Sequence, residues 1–314
     1  MTFSQEVKSE ILKSLKNVKG CCAASFLTAV LKSIGSLTLE YRKFSFTMES
    51  DNYDFLTVCK NLAETHLDCK ATIKSYNVNV KGVAVYSCGF EGNIGDKLGL
   101  TTRQDNSFNL CENSASLIPK DDCCKKAFMQ GLFLSAGSVV IPQGDEQNEK
   151  SNNAYHLELR FVEESFALAV KQTFDVFDFR LLKRKNHVVL YLKDSEKIAD
   201  YLVYLGATKG KLKLETVIVD RNMRNNINRQ SNCIVANIDK AVRTAERQLN
   251  AIQVLKQNGE FNNLPQQLKE IALLRENNPE ATLDEIAVML HISKSGANHR
   301  FAKLIEIANL QENK

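Results

Sequence analysis

Between Lys294 and Lys303 the sequence reads KSGANHRFAK, with three basic residues and no acid. Lys294, Ser295, Asn298 and His299 carry groups that can donate to or accept from the polar edge of a base. An asparagine amide bonds adenine in bidentate fashion, and a serine hydroxyl takes either role. Arg300 and Lys303 suit phosphate oxygens. Ser293, just ahead, is of the type that caps a helix. The chemistry implied is recognition of double-stranded DNA, with no bond made or broken.

Other candidates point the same way. Nine cysteines are present, at 21, 22, 59, 69, 88, 111, 123, 124 and 233. The number is odd, and no CxxC or Cys/His pair has zinc spacing. They read as reduced packing thiols, with no metal and no cofactor. Further along the chain, Arg221, Arg224 and Arg229 lie in RNMRNNINRQSN. There they would either neutralise phosphates, a salt-sensitive affinity blind to sequence, or form a hydrogen-bonding cluster that caps a long helix.

The elements that must position the first group are legible. LPQQLKEIALLRENNP has apolar residues at helical spacing and stops before Pro279. TLDEIAVML follows, with Thr282 and Glu285 at capping-box spacing. A short turn at His291-Ile292 leads to a third helix with a core stripe at Ala297, Phe301, Leu304 and Ala308. Helix, short turn, helix is the helix-turn-helix pattern. His291 stands where glycine is commoner, but histidine tolerates positive φ better than most residues. Upstream, residues 209–260 carry ten Lys/Arg against five Asp/Glu. There Ile238, Val242, Ala245, Leu249 and Ile252 form an amphipathic seam, expected to dock on the chain's own domain.

The first two-thirds contain a repeat. CCAASFLTAVLKSIGS (21–36) and CCKKAFMQGLFLSAGS (123–138) align without gaps at an offset of 102, with six of 16 positions identical. Each reads as a buried helix ended by glycine, predicted as a left-handed cap. Ala29 aligns with Gly131, which would allow the two helices a close approach. Alternating segments such as KFSFTM, ATIKSYNVNV, AYHLELRFVE and HVVLYLK predict strands. Val83/Val188 and Tyr86/Tyr191 are expected to share a register. PQGDEQNEKSNN reads as an extra surface loop. Two αββαββα halves in one chain make a pseudo-two-fold.

This pair of helices resembles the LAGLIDADG homing endonucleases. The resemblance implies an acidic residue before each terminal glycine, where two carboxylates would hold a divalent metal for phosphodiester cleavage. Here those positions are Ile34 and Ala136, and neither can ligate. No catalytic residue is expected, and the scaffold reads as catalytically dead. With the repeat, the connector containing SNCIVAN and the final ISKSGANHRFAKLIEIA in one order, the whole chain is similar to the WhiA family. That resemblance implies a degenerate LAGLIDADG domain tethered to a helix-turn-helix. It also implies roles in cell division and chromosome segregation, with control of sporulation genes where sporulation exists.

The fold class expected is α+β: a pseudo-two-fold LAGLIDADG-like repeat over 1–210, with halves of about 1–110 and 115–210. A basic connector over 211–260 and an all-α helix-turn-helix domain over 261–314 follow. Net charge is only +4, so placement of charge matters more than its sum. The N-terminus MTFSQEVKSEILKSLK lacks an apolar signal core, and no apolar run approaches the roughly 20 residues of a membrane span. The expectation is a cytoplasmic, nucleoid-associated monomer that is not an enzyme. Its partners would be duplex DNA and division or transcription proteins. The rival readings are a division or nucleoid scaffold with weak DNA or RNA binding, and a residual nuclease or maturase.

Overall fold

The computed structural model describes every residue except 16–17, 41–42, 77–83, 105–106, 112, 143–153 and 313–314. The chain divides into two units, Met1–Asp220 and Arg221–Lys314.

In the first unit, α1 (Phe3–Ser14) precedes α2 (Gly20–Ile34), β1 (Gly35–Glu40), β2 (Lys43–Ser50), α3 (Tyr53–His66), β3 (Ala71–Tyr76) and β4 (Val85–Phe90). The last helix of this half, α4 (Ile94–Lys97), is a single turn, and a hairpin, β5 (Thr101–Gln104) and β6 (Ser107–Leu110), follows it. The second half runs α5 (Asp122–Ala136), β7 (Gly137–Val140), β8 (His156–Phe161), α6 (Glu164–Thr173), β9 (Arg180–Arg184), β10 (His187–Leu192) and α7 (Ser195–Leu205). The two antiparallel sheets have matching orders, β1-β2-β4-β3 and β7-β8-β10-β9. The duplication read from sequence is therefore present in the topology. Val83, the end of the NVNV run and most of the PQGDEQNEKSNN segment lie outside the described residues.

The helices α2 and α5 pack at the centre of the core, with Phe26, Leu27, Ala29, Phe128, Leu132 and Phe133 buried. Gly131 permits this approach: a Cβ there would lie 2.6 Å from the Phe26 carbonyl oxygen and 3.0 Å from the Ala29 Cβ. The small pair expected from the repeat is thus a backbone contact.

Two expectations need correction. Gly35 and Gly137 are not left-handed caps; their backbones are extended, at φ −71° and −95°. Each helix passes straight into a strand. Glycine is required because a Cβ would strike the carbonyl oxygen four residues back, at Leu31 or Phe133. The left-handed helix end occurs instead at Gly206, φ 85°, after α7. The strand register also differs. Gly35 pairs with Met48 and Met48 with Cys88, while Gly137 pairs with Leu159 and Leu159 with Leu190. Cys88 is therefore equivalent to Leu190, the same offset of 102 as the helices. Tyr86 corresponds to Val188, not to Tyr191. Tyr86 packs on the core side with Tyr53, whereas Tyr191 stacks with His156 on the other face.

Side chains alternate across a strand, so the faces turned from the core can be read off. In the first sheet they carry Ser36, Thr38, Ser45, Thr47, Thr72 and Ser87 with Glu49 and Lys74, opposite the core residues Phe46, Met48 and Cys88. In the second they carry His156, Glu158, Arg160, Arg180, Arg184 and Tyr191, opposite Leu157, Leu159, Phe161 and Leu190.

A 50-residue helix, α8 (Thr208–Gln257), runs from one unit into the other. Its first turn is capped by Glu10 of α1, whose carboxylate accepts from Lys209 N at 2.8 Å and Gly210 N at 3.0 Å. RNMRNNINRQSN thus lies inside the helix and caps nothing. The expected docking of the seam holds only toward its end. Ile252 is buried and Ala245 and Leu249 are half-buried, but Ile238 and Val242 are exposed. Among the described residues no helix is long and apolar enough to cross a membrane.

Candidate nucleic-acid interface

The second unit has one apolar core. Ala251, Ile252 and Leu255 from the end of α8 join α9 (Gln266–Asn277), α10 (Leu283–Met289) and α11 (Lys294–Glu312) through Leu268, Ile271, Ile286, Ala287, Ala297, Phe301, Leu304 and Ala308. The last turns of α8, at the end of the segment read as a connector, are part of this core.

Local sequence fixes how α11 is presented. Thr282 and Glu285 form the capping box at the start of α10, with Thr282 N donating to Glu285 Oε2 at 2.7 Å. The turn places His291 at φ 51°, the left-handed conformation anticipated for it. Ser293 caps α11, accepting from Gly296 N at 3.1 Å, and its hydroxyl lies 3.0 Å from that of Ser295. Behind the helix, Arg275 is 2% exposed. Its Nε donates to Gln248 on α8 at 2.9 Å, its Nη1 to the carbonyl of Ala281, and its guanidinium lies 5.3 Å from the Phe301 ring centroid. One buried cation therefore ties α8, α9, the α9–α10 loop and α11 together.

At about 100° per residue, burial of Ala297, Phe301 and Leu304 turns Ser295 and His299 straight outward. Asn298 lies on one flank of that outward arc. Ser295, Asn298, His299 and Lys303 are all exposed. Two expected residues stand apart. Arg300 is half-buried on the opposite flank from Asn298, and Lys294 pairs with Asp284 of α10 at 2.5 Å. Ser293 is occupied as the cap.

Asn298 lines a cleft of about 650 Å³ between α11 and α8, together with Lys240, Arg243 and Arg247. These three cations were not singled out from sequence, although their spacing of three and four residues puts them on one helical face. Arg229 falls near the same face, while Arg224 is turned well away from it at about 100° per residue. Arg221 is half-buried, and Arg224 and Arg229 are exposed on the middle of α8.

At the other candidate centre, Ile34 and Ala136 end α2 and α5, both half-buried, with Ile34 packed on the core. Hydrocarbon stands where carboxylates would have to bind a metal. Lys8 Nζ donates to the Leu134 carbonyl at 3.1 Å, which puts a cation at a helix C-terminus where the dipole favours it. Burial draws the Lys8 pKa down, only partly opposed by Asp51. Nearby, Lys32 pairs with Glu163 at 2.8 Å.

A family model described as the WhiA C-terminal HTH domain matches residues 227–308, and one described as the WhiA LAGLIDADG-like domain matches residues 125–224. The chain belongs to the WhiA family. A WhiA protein of Carboxydothermus hydrogenoformans is 35% identical over 98% of this chain and 97% of its own length, and is named "Probable cell division protein WhiA". A relative of the same name from Clostridium acetobutylicum is 33% identical, covering 98% of each chain. The crystal structure of full-length DUF199/WhiA from Thermatoga maritima superposes with a TM-score of 0.59 at 23% identity, covering 98% of each chain. That likeness shows the fold.

Proposed function

We propose that this WhiA-family chain is a non-enzymatic, sequence-reading DNA-binding regulator acting in cell division and chromosome segregation, and in sporulation control in sporulating relatives. The observation that carries the reading is the exposed Ser295–Asn298–His299 edge of α11 beside the basic wall of Lys240, Arg243 and Arg247 on α8. The edge supplies base contacts and the wall supplies phosphate contacts, the division of labour common to such interfaces. Phosphate contacts from Arg229 and Lys303 extend the same role, while Arg221 and Arg224 would meet phosphates elsewhere along α8. The role in cell division follows the name shared by the relatives, and chromosome segregation and sporulation control follow the resemblance to the family. Duplex DNA is the partner, with division or transcription proteins beside it, and the location is cytoplasmic and on the nucleoid. Absence of catalysis rests on Ile34 and Ala136. The domain division at 210 and 260 remains part of this reading, with the end of α8 serving the DNA-binding module.

Genome-wide occupancy of the wild type and of an Asn298→Ala/His299→Ala variant tests the proposal. Discrete peaks in the wild type that vanish in a folded variant support it. A wild type without enrichment at any site would refute it. Magnesium-dependent cleavage of plasmid DNA, scaling with protein concentration, would refute the non-enzymatic part.

A further inference from the structure

The two vicinal cysteine pairs of the repeat have no part in the DNA-binding reading. They sit at the N-terminal ends of α2 and α5, at the opposite end of the helix pair from Ile34 and Ala136. Although 102 residues separate the pairs in sequence, the packing of α2 on α5 brings them together. The sulfurs of Cys21 and Cys22 lie 4.0 Å apart, those of Cys123 and Cys124 3.9 Å apart, and all four lie within 4.8 Å of one another. Among the described residues this is the one group of three or more Cys, His, Asp or Glu side chains that converges in this way.

We propose that Cys21, Cys22, Cys123 and Cys124 form a tetrathiolate site for one soft divalent metal ion of the zinc class, clamping the two halves of the repeat together. The geometry favours a metal over a disulfide. A tetrahedral zinc site with Zn–S bonds of about 2.3 Å has sulfurs about 3.8 Å apart. The vicinal pairs already stand near that spacing, and the widest pair must close by about 1 Å. A disulfide needs sulfurs about 2.0 Å apart, roughly half of what is seen.

The helices supply the electrostatics. Four thiolates around a divalent ion carry a net charge of two minus. Neither α2 nor α5 has a side-chain cap on its first turn. Both cysteine pairs lie within those first turns, and two helix N-termini favour negative charge there. Burial fits as well. Cys22 and Cys124 are buried while Cys21 and Cys123 are exposed, so an ion can enter from solvent and be enclosed on the protein side. Binding exchanges four thiol protons for one metal ion, leaving four metal–sulfur bonds and four released protons. Because all four ligands come from protein, no coordination position is open to substrate, and the role is structural.

The test uses the full chain, reduced under anaerobic conditions, stripped with a chelator and titrated with cobalt(II) alone. One equivalent should give thiolate-to-cobalt charge transfer and the intense ligand-field bands of a tetrahedral ion, and zinc(II) should bleach both. Cys21→Ser/Cys123→Ser, at the two exposed positions, should keep its helical circular dichroism and lose the bands. Its zinc affinity should fall by roughly 100-fold or more, at or beyond the scale of losses from supporting residues alone. Cys69→Ser/Cys233→Ser should match the wild type. The site is disproved by a fully reduced wild type that gives no thiolate bands, or by bands that survive in Cys21→Ser/Cys123→Ser. If the double variant misfolds, proton release from the wild type on adding zinc decides: about four per chain supports the site and none refutes it.

Discussion

Arg275 Nε donates to Gln248 Oε1 at 2.9 Å, and neither side chain is more than 2% exposed. This bond joins the end of α8 to α9 directly behind α11. Hydrogen bonds to buried charges contribute about 1.5–3 kcal/mol, and their loss leaves the charge unsolvated. Gln248→Leu is therefore expected to destabilise the helical unit by about 2–3 kcal/mol. Urea denaturation followed by circular dichroism measures this. A loss below about 0.5 kcal/mol, the range of ordinary surface changes, would show the bond to be dispensable.

Gly131→Ala should destabilise the first unit even though alanine is the better helix former by about 1 kcal/mol. The new methyl meets the Phe26 carbonyl oxygen at 2.6 Å and the Ala29 Cβ at 3.0 Å. Overpacking of this kind costs about 1–3 kcal/mol. Adding Ala29→Gly should recover part of the loss but not all, because the carbonyl stays. Thermal melts of the single and double variants check both statements, and a Gly131→Ala protein as stable as the wild type contradicts them.

On DNA, the two sides of the cleft should respond differently. Asn298→Ala should lose about 1–3 kcal/mol of discrimination at one base pair while leaving random-sequence binding nearly intact. Arg243→Ala or Arg247→Ala should weaken specific and random DNA alike and reduce the salt slope by about one. Anisotropy titrations at several salt concentrations separate these outcomes. Identical behaviour of Asn298→Ala and Arg243→Ala would merge the two roles.

Glu158 gives a pH dependence with a definite sign. Burial alone would raise its pKa, but hydrogen bonds from Arg160, at 2.7 and 2.9 Å, and from His156 outweigh that and hold it below the usual 4.5. The folded carboxylate is thus the weaker base, and unfolding in acid takes up a proton. Its stabilisation is complete above about pH 4.5 and fades as pH falls through the lower folded value. Stability curves between neutral pH and pH 3 should be flatter for Glu158→Gln. Parallel curves would assign the acid sensitivity to other groups.

Much of this was legible from residues whose meaning is local. The capping box at Thr282 and Glu285, the left-handed His291 and the serine cap depend on neighbours a few positions away, and all stand as read. The duplicated helices were legible because α2 and α5 align without gaps at one offset of 102, whereas paired strands such as β2 and β8 do not keep it. The errors arose where one residue type answers to two physical demands. Glycine after a helix suits positive φ, but it also suits a backbone too crowded for a Cβ, and Gly35 and Gly137 serve the second need. Tyr86 and Tyr191 look alike in an alternating pattern, yet a slip in alignment moves a side chain to the other face of the sheet. The basic wall of α8 was hidden because Lys240, Arg243 and Arg247 gain meaning only beside Asn298. The convergence of Cys21, Cys22, Cys123 and Cys124 could not be seen by searching for ligands near in sequence.

The outward faces of the two sheets descend from one repeated pattern and have since diverged, one rich in hydroxyls and the other in guanidinium and imidazole groups. A ligand with its own two-fold axis would meet two inequivalent surfaces across this pseudo-dyad. Its two orientations would differ in energy, and one would be preferred. Divergence of the two faces would thus give a near-symmetric body a handle on polarity, holding a two-fold object laid across it one way round.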